Sequence, residues 1–284
     1  MITHCHYDHI GGVEQFSRPR PDRRDSATSL IVASANGRKF IENDLVEHSL
    51  CRDRGIALPR YKVGYWAKDC EKLQCSFVRP AAPLYSSTTG MPETIDLGIT
   101  IFNTPGHTPD ELAWYDHRNR YLNVGDSFYE EGIEGMPVVF PREGNWIEWM
   151  ESMYKLLDFV RQENSATDEG SEDWLVVPKR VKLGCAHTTV SVDGEEILLD
   201  VVALFYRIMQ GRVPVIDTDH RRGEVHDLWR EEGDDVRFSV RAPRRLCDEA
   251  RKHFYPVDTS ERPAGLFARL PSILPSIEGL RLRS

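Results

Sequence analysis

No stretch of this 284-residue sequence holds the ~18 consecutive apolar residues that a membrane-crossing helix needs. Its opening residues are polar and lack the apolar core of a secretory signal. Basic charge is in deficit: 36 Lys and Arg face 45 Asp and Glu, a net charge of −9. Such a surface is poorly suited to phosphate backbones or anionic lipid, so neither nucleic acid nor membrane is an expected partner. The six cysteines, Cys5, Cys51, Cys70, Cys75, Cys185 and Cys247, form no C-x-x-C pair and are too sparse for a disulfide scaffold. Reduced, mostly buried thiols in a cytoplasmic protein are the expectation. Hydrophobic content of 40% and charged content of 29% are those of a globular chain. The length suits one large domain, or one domain with an extension.

Against these absences stands one dense cluster. Residues 3 to 12 read Thr-His-Cys-His-Tyr-Asp-His-Ile-Gly-Gly, with His4, His6, Asp8 and His9 inside six positions. Imidazole and carboxylate are the donors of zinc and other borderline first-row metals. By ordinary residue usage, H-x-H-x-D-H arises by chance in roughly one chain of this size in ten thousand. In an extended or tightly turning backbone every second side chain points the same way. That groups His4, His6 and Asp8 and turns His9 elsewhere, so one short loop can serve two ions.

Along the chain, strand and helix patterns alternate, as in an α/β layered fold. Residues 10–16 read as a short helix after the cluster, and 17–27 as an exposed Arg, Pro, Asp and Ser loop. Leu30 to Ala33 is a short buried strand, and residues 37–54 read as one helix. Residues 55–92 lack a clear period; Tyr61, Tyr65 and Trp66 there are either pocket-lining or ordinary packing aromatics, with packing the better reading. Ile95, Leu97, Ile99, Ile101 and Asn103 alternate as one strand face leading to Pro105-Gly106. Leu112 to Tyr115 and Arg120 to Val124 flank a turn at 116–119, a hairpin in which His117 is a turn residue and not a ligand. Asn145 to Glu148 resembles a capping box opening a helix to about Gln162. Residues 163–173 read as a surface loop, 174–183 as mixed strand, and 193–210 as an amphipathic helix stopped by Gly211. The last ~70 residues lose regular period and read as an appendage to the domain. The Arg241, Arg244, Arg245, Arg251 and Lys252 patch there reads as a solvated face paired with nearby acids.

The first cluster and three later motifs together resemble the metallo-β-lactamase superfamily. Thr104-Pro105-Gly106-His107-Thr108 looks like its P-G-H-T turn, Asn123-Val124-Gly125-Asp126-Ser127 like its G-D motif, and Gly184-Cys185-Ala186-His187 like its late strand-end histidine. The resemblance runs from residue 1 to about 210 and leaves 211–284 as an extension. It implies an αββα sandwich, here lacking some amino-terminal strands, because H-x-H-x-D-H sits deep inside the domain in the family and begins at residue 4 in this sequence. It implies that His4, His6 and His107 hold one metal, that Asp8, His9 and His187 hold a second, and that Asp126 bridges them. Asp8 would also orient the nucleophile, and Asp110 is a candidate acceptor behind a ligand imidazole.

The resemblance implies a hydrolase with two zinc ions per chain, acting through a bridging hydroxide on an ester, thioester or similar bond of a small molecule, in the manner of glyoxalase II or an acyl-thioesterase. Two alternatives stand beside it. One is a mononuclear iron persulfide dioxygenase, whose Fe2+ ligands overlap; a flavodiiron site is disfavoured because His6 stands where those proteins carry Glu. The other is a non-catalytic fragment of the fold. Oligomeric state is open.

Overall fold

Two neighbouring buried residues at the end of one long strand show how the layers form. In the computed structural model, which describes residues 1–17, 29–78, 92–132, 135–168, 179–233 and 236–256, Ile101 and Phe102 point to opposite sides of a sheet and enter different hydrophobic clusters. The elements in chain order are α1 (Tyr7–Ile10), α2 (Glu14–Ser17), β1 (Val32–Ser34), α3 (Arg38–Asn43), α4 (Leu45–His48), β2 (Tyr65–Ala67), β3 (Glu71–Val78), β4 (Pro92–Asn103), β5 (Leu112–Asp116) and β6 (Tyr121–Asn123). There follow β7 (Val138–Val139), α5 (Trp146–Asp168), β8 (Lys182–Gly184), β9 (Val192–Asp193), α6 (Gly194–Met209), β10 (Val215–Arg221), β11 (Glu224–Arg230), β12 (Ser239–Pro243) and α7 (Arg244–Phe254).

The large sheet has the order β3-β4-β5-β6-β8-β9, antiparallel except for the parallel β6–β8 pair. One face carries Phe102, Ala113, Tyr115 and Leu122 into a core shared with α5 and α6, whose Trp149, Met153, Leu157, Val201 and Phe205 are fully buried. The opposite face presents Leu73, Ile101 and Leu112 to Val32 and Ala67 of a second, parallel sheet, β1–β2. That sheet's far side, at Ile31 and Ala33, packs under Ile2, Cys5, Ile10 and Ile41 from the amino-terminal segment, α1 and α3. The layer order is therefore helix, sheet, sheet, helix, the αββα arrangement expected. The second sheet has two strands among the described residues.

Local chemistry accounts for the element ends. Asn145 Oδ1 accepts from the Ile147 and Glu148 amides and starts α5, which runs about a turn and a half beyond the expected Gln162. Asp193 Oδ1 caps α6 in the same way, and that helix closely matches its expected span. The single helix expected over 37–54 is broken instead. Asp44 leaves helical geometry (φ −153°) and caps the separate helix α4 through the Glu47 amide. Residues 55–92, without clear period, contain β2 and β3. Tyr61 and Trp66 pack against the amino-terminal cluster, in line with the packing reading, whereas Tyr65 is exposed and does not pack. Ile95 and Leu97, expected on the buried face of β4, are half exposed. Of the loop expected at 17–27, Ser17 closes α2 and the rest lies outside the described residues, as do the later part of 163–173 and the first part of the 174–183 strand.

Residues 211–256 form regular structure where the sequence shows no period. β10, β11 and β12 pair antiparallel, and β12 adds parallel to β7. Trp229, Val240, Leu246, Ala250 and Phe254 enter the same core as α5 and α6. The basic residues there are paired: Arg241 with Asp217 and Asp219, Arg244 with Asp227, and Arg251 with Asp248.

Candidate metal centre

The amino-terminal segment is held between the two sheets. The Ile2 amide donates to Val32 O of β1, and the Leu112 amide of β5 donates to Thr3 O. Both bonds keep residues 2–6 extended, so His4 and His6 alternate onto the same side, as expected. The chain then turns into α1 at Tyr7, and the Tyr7 amide donates to Ser49 O. That turn overrides the alternation for the next residue. Asp8 leaves the His4–His6 line and stands with its helix neighbour His9, contrary to the grouping expected from an extended backbone.

Two adjacent donor sets result. His4, His6 and His107 form one, all buried; Asp8, His9, Asp126 and His187 form the other. Within each set one ligand atom per residue lies within 4.8 Å of the rest. In the first set His6 Nδ1 stands 2.8 Å from His4 Nε2 and 3.2 Å from His107 Nε2. Asp126 reaches both sets: Oδ2 is 3.9 Å from His4 Nε2 and 3.3 Å from His187 Nε2, and Oδ1 is 3.3 Å from His9 Nε2. Asp8 Oδ2 lies 3.9 Å from His187 Nε2. All seven residues singled out from the sequence are thus brought together. The second set faces solvent: the side chains of Asp8 and His187 are 33% and 29% exposed. Access to the pair of sets is from that side.

Each later residue is delivered by a turn at a strand end. Gly106, in the turn after β4, has φ +143°, and a Cβ there would lie 2.4 Å from Trp149 Cα. Only glycine lets this turn press against α5, and the next residue is His107. Gly125 follows β6 at φ +58°, where a Cβ would meet Glu111 Oε1 and Thr3 Cβ at 2.9 Å. His187 itself has φ +67°, a left-handed conformation uncommon for a side chain with a Cβ and concentrated at functional positions. Its ring rests edge-on against Tyr129, 4.9 Å between centroids.

The electrostatics favour cation binding. Burial, followed by mutual repulsion, pushes His4 well below the usual histidine value; His6 is lowered likewise by burial and then by His107. Burial takes His107 down to about 4. At neutral pH these are three uncharged imidazoles whose ring nitrogens converge. Burial alone would raise Asp126, but the hydrogen bond from His187 and the neighbouring His9 outweigh it and hold the carboxyl well below the carboxylate range. The same bond raises His187. Uncharged imidazoles are the form that donates to a cation. The spacing fits such a cation: three donors around tetrahedral zinc at ~2.05 Å are roughly 3.3 Å apart. Asp126 Oδ1 is buried without a hydrogen-bond partner, His9 being outside bonding geometry. The donor set therefore fits one ion at each cluster, with Asp126 between.

Two surrounding residues, Glu111 and Thr3, carry parts not evident from spacing. Glu111, wholly buried, accepts the Asp126 amide at 2.8 Å and fixes the turn. Thr3 Oγ1 touches two ligand imidazoles. Asp110, proposed above as an acceptor behind a ligand, makes no hydrogen bond to any imidazole; both its oxygens are buried without a partner beside Cys5 and Thr108. Burial raises it to about 6. The signals for Thr3 and Glu111 are only their positions next to His4 and before β5. His117 bonds Thr100 Oγ1 at 2.8 Å on the hairpin and is not part of the site.

Among known proteins, no family model matches the chain. A curated protein of Aspergillus versicolor named "Putative transcription factor avaE" is 22% identical over 222 residues, covering 75% of this chain. The chain spans 54% of that relative's length. Solved structures similar to this one include an archaeal metallo-β-lactamase superfamily protein from Sulfolobus tokodaii, with 16% identity, a TM-score of 0.44, and 72% of this chain and 66% of that one covered. The BLEG-1 B3 metallo-β-lactamase gives 19% identity and a TM-score of 0.39 over 69% of this chain and 71% of that one. The protein TTHA1623, solved in a di-iron-bound form, gives 18% and 0.39 over 69% and 72%. Within this chain's own αββα layers, His4, His6, Asp8, His9, His107, Asp126 and His187 stand around one centre.

Proposed function

We propose that this chain is a metal-dependent hydrolase with two zinc ions, acting on an ester, thioester or similar bond of a small molecule. The observation that carries this reading is the pair of adjacent donor sets joined by one ionised carboxylate, Asp126. His4, His6 and His107 would hold the first ion; Asp8, His9 and His187 the second; Asp126 would touch both. Zinc so held polarises a carbonyl oxygen and makes hydroxide available near neutral pH.

The protein's own groups supply the rest. Burial keeps the first trio neutral and so competent as donors. Asp8 and His187, on the open side, border the space where a substrate must enter. Asp8 there accepts a hydrogen bond from the attacking water and orients it. Asp126, held ionised, neutralises charge that would otherwise accumulate on the ions. A net charge of −9 favours a small molecule over a nucleic acid.

The test is metal content followed by turnover. Protein dialysed exhaustively and analysed by elemental mass spectrometry is expected to hold about two zinc per chain. It should cleave a thioester or lactone panel, lose that activity with a chelator and regain it with zinc. One iron per chain with oxygen consumption would instead support the persulfide dioxygenase alternative. No retained metal and no turnover would remove both readings.

A further inference from the structure

Thr3 immediately precedes the first ligand, yet its hydroxyl serves more than one histidine. Oγ1 lies 3.1 Å from His4 Nδ1 and 2.7 Å from His9 Nδ1. These two rings belong to different donor sets. Each turns its Nε2 toward the centre: His4 Nε2 stands 2.8 Å from His6 Nδ1, and His9 Nε2 is 3.3 Å from Asp126 Oδ1. The Nδ1 atoms are therefore the rear nitrogens of both rings.

A histidine that binds metal through Nε2 must carry its proton on Nδ1, and that N–H needs an acceptor. A threonine hydroxyl has two lone pairs and one proton. Accepting from both His4 and His9 uses both lone pairs. We infer that Thr3 is a positioning residue shared by the two metal sites: its single oxygen fixes the tautomer and orientation of one ligand in each, and so couples their occupancy. The inference rests on the two-ion reading above.

The surroundings keep Thr3 in place. Its carbonyl accepts the Leu112 amide at 2.9 Å, which ties it to β5. Its side chain is buried, and its Cβ lies 2.9 Å from where a Cβ on Gly125 would be, directly behind the turn to Asp126. The hydroxyl oxygen thus has little freedom to swing away from either ring. Serine retains that oxygen, whereas valine keeps the shape and removes it.

The experiment compares wild type, Thr3→Ser and Thr3→Val by zinc titration against a chromophoric chelator, with histidine ring N–H signals recorded by 15N NMR on the zinc-loaded proteins. In Thr3→Val both zinc equivalents are expected to bind about 10- to 100-fold more weakly, the usual cost of removing an acceptor behind a metal-bound histidine. Thr3→Ser is expected within a few-fold of wild type. Two slowly exchanging Nδ1–H signals should be present in wild type and Thr3→Ser and lost in Thr3→Val, a readout that a purely packing role would leave alone. If Thr3→Val binds both equivalents as tightly as wild type, or loses only one, the shared role is wrong and the two-ion reading stands. A wild type that takes up fewer than two equivalents overturns both.

Discussion

Acid should unfold the metal-free protein through its buried imidazoles, and His107 gives the size of the effect. Its pKa falls from 6.5 to about 4 in the folded chain because burial penalises the charged ring. The unfolded chain therefore takes up a proton that the native site refuses. The contribution is fully present above pH 6.5 and is lost as the pH drops toward 4. Between pH 7 and pH 4.5 this one ring accounts for about 2 to 3 kcal/mol. His4 and His6 are lowered too and act in the same direction. His187 is raised, so its contribution has the opposite sign: present below pH 6.5 and lost as the pH climbs through its folded value. The assay is urea unfolding with a chelator present, at half-unit steps from pH 7 to 4.5, on wild type and His107→Gln. Glutamine is polar, close in reach and does not titrate. The variant's stability should fall less steeply with acid, by up to about 1.4 kcal/mol per pH unit in the middle of the window. Parallel curves for the two proteins would mean that His107 is not held neutral by burial, and the electrostatic account of the first donor set would fail.

Three further outcomes follow from named contacts. Gly106→Ala places a Cβ 2.4 Å from Trp149 Cα, which the backbone of α5 cannot easily concede. It is expected to cost about 3 kcal/mol or more in chemical denaturation and to remove zinc from the first site, since the displaced turn carries His107. Glu111→Ala orphans the buried Asp126 amide and should cost about 1 to 3 kcal/mol, whereas Glu111→Gln retains an acceptor there and should lie within about 1 kcal/mol of wild type. Equal losses in the two variants would show that the bond to Asp126 is not what matters. Zinc at a thousand times its dissociation constant should raise unfolding stability by about 4 kcal/mol per site, so thermal unfolding without and with zinc must differ clearly; no shift in wild type would contradict a preformed centre.

The contrast between what could and could not be read from the sequence has a physical cause. Donor chemistry marks the His4, His6, Asp8 and His9 cluster directly, whereas His107, Asp126 and His187 were expected from the family resemblance. The order His4, His6, Asp8, His9, His107, Asp126, His187 needs no coordinates. The strands and helices around it were legible where apolar residues recur with a clear period, as in α6 and the β5–β6 hairpin. Legibility failed where a local polar contact competes with period. Asp44 splits one expected helix by capping the next, and a three-residue strand such as β2 is too short for a period to show. It failed too in 211–256, whose β10 is exposed along nearly its whole length and so shows no alternation, although it pairs with β11.

The same distinction explains the site's inner structure. An extended reading of residues 4–9 assigns Asp8 to the wrong set, because the direction of a side chain depends on where the backbone begins to turn. That point is set by a bond to a distant residue, Ser49, whose carbonyl receives the Tyr7 amide. Glu111 is invisible for a related reason: its value lies in one hydrogen bond to a backbone amide 15 residues on, and any acceptor of suitable reach would satisfy that amide. Donors to a metal are few in kind, so they stand out in a sequence. The groups that orient them are ordinary hydroxyls, carboxylates and glycines, and only the fold distinguishes them from their neighbours. Around the seven donors, Thr3 and Glu111 act through hydrogen-bond distances of 3.1 Å or less, and Gly106 and Gly125 through the absence of a Cβ for which there is no room.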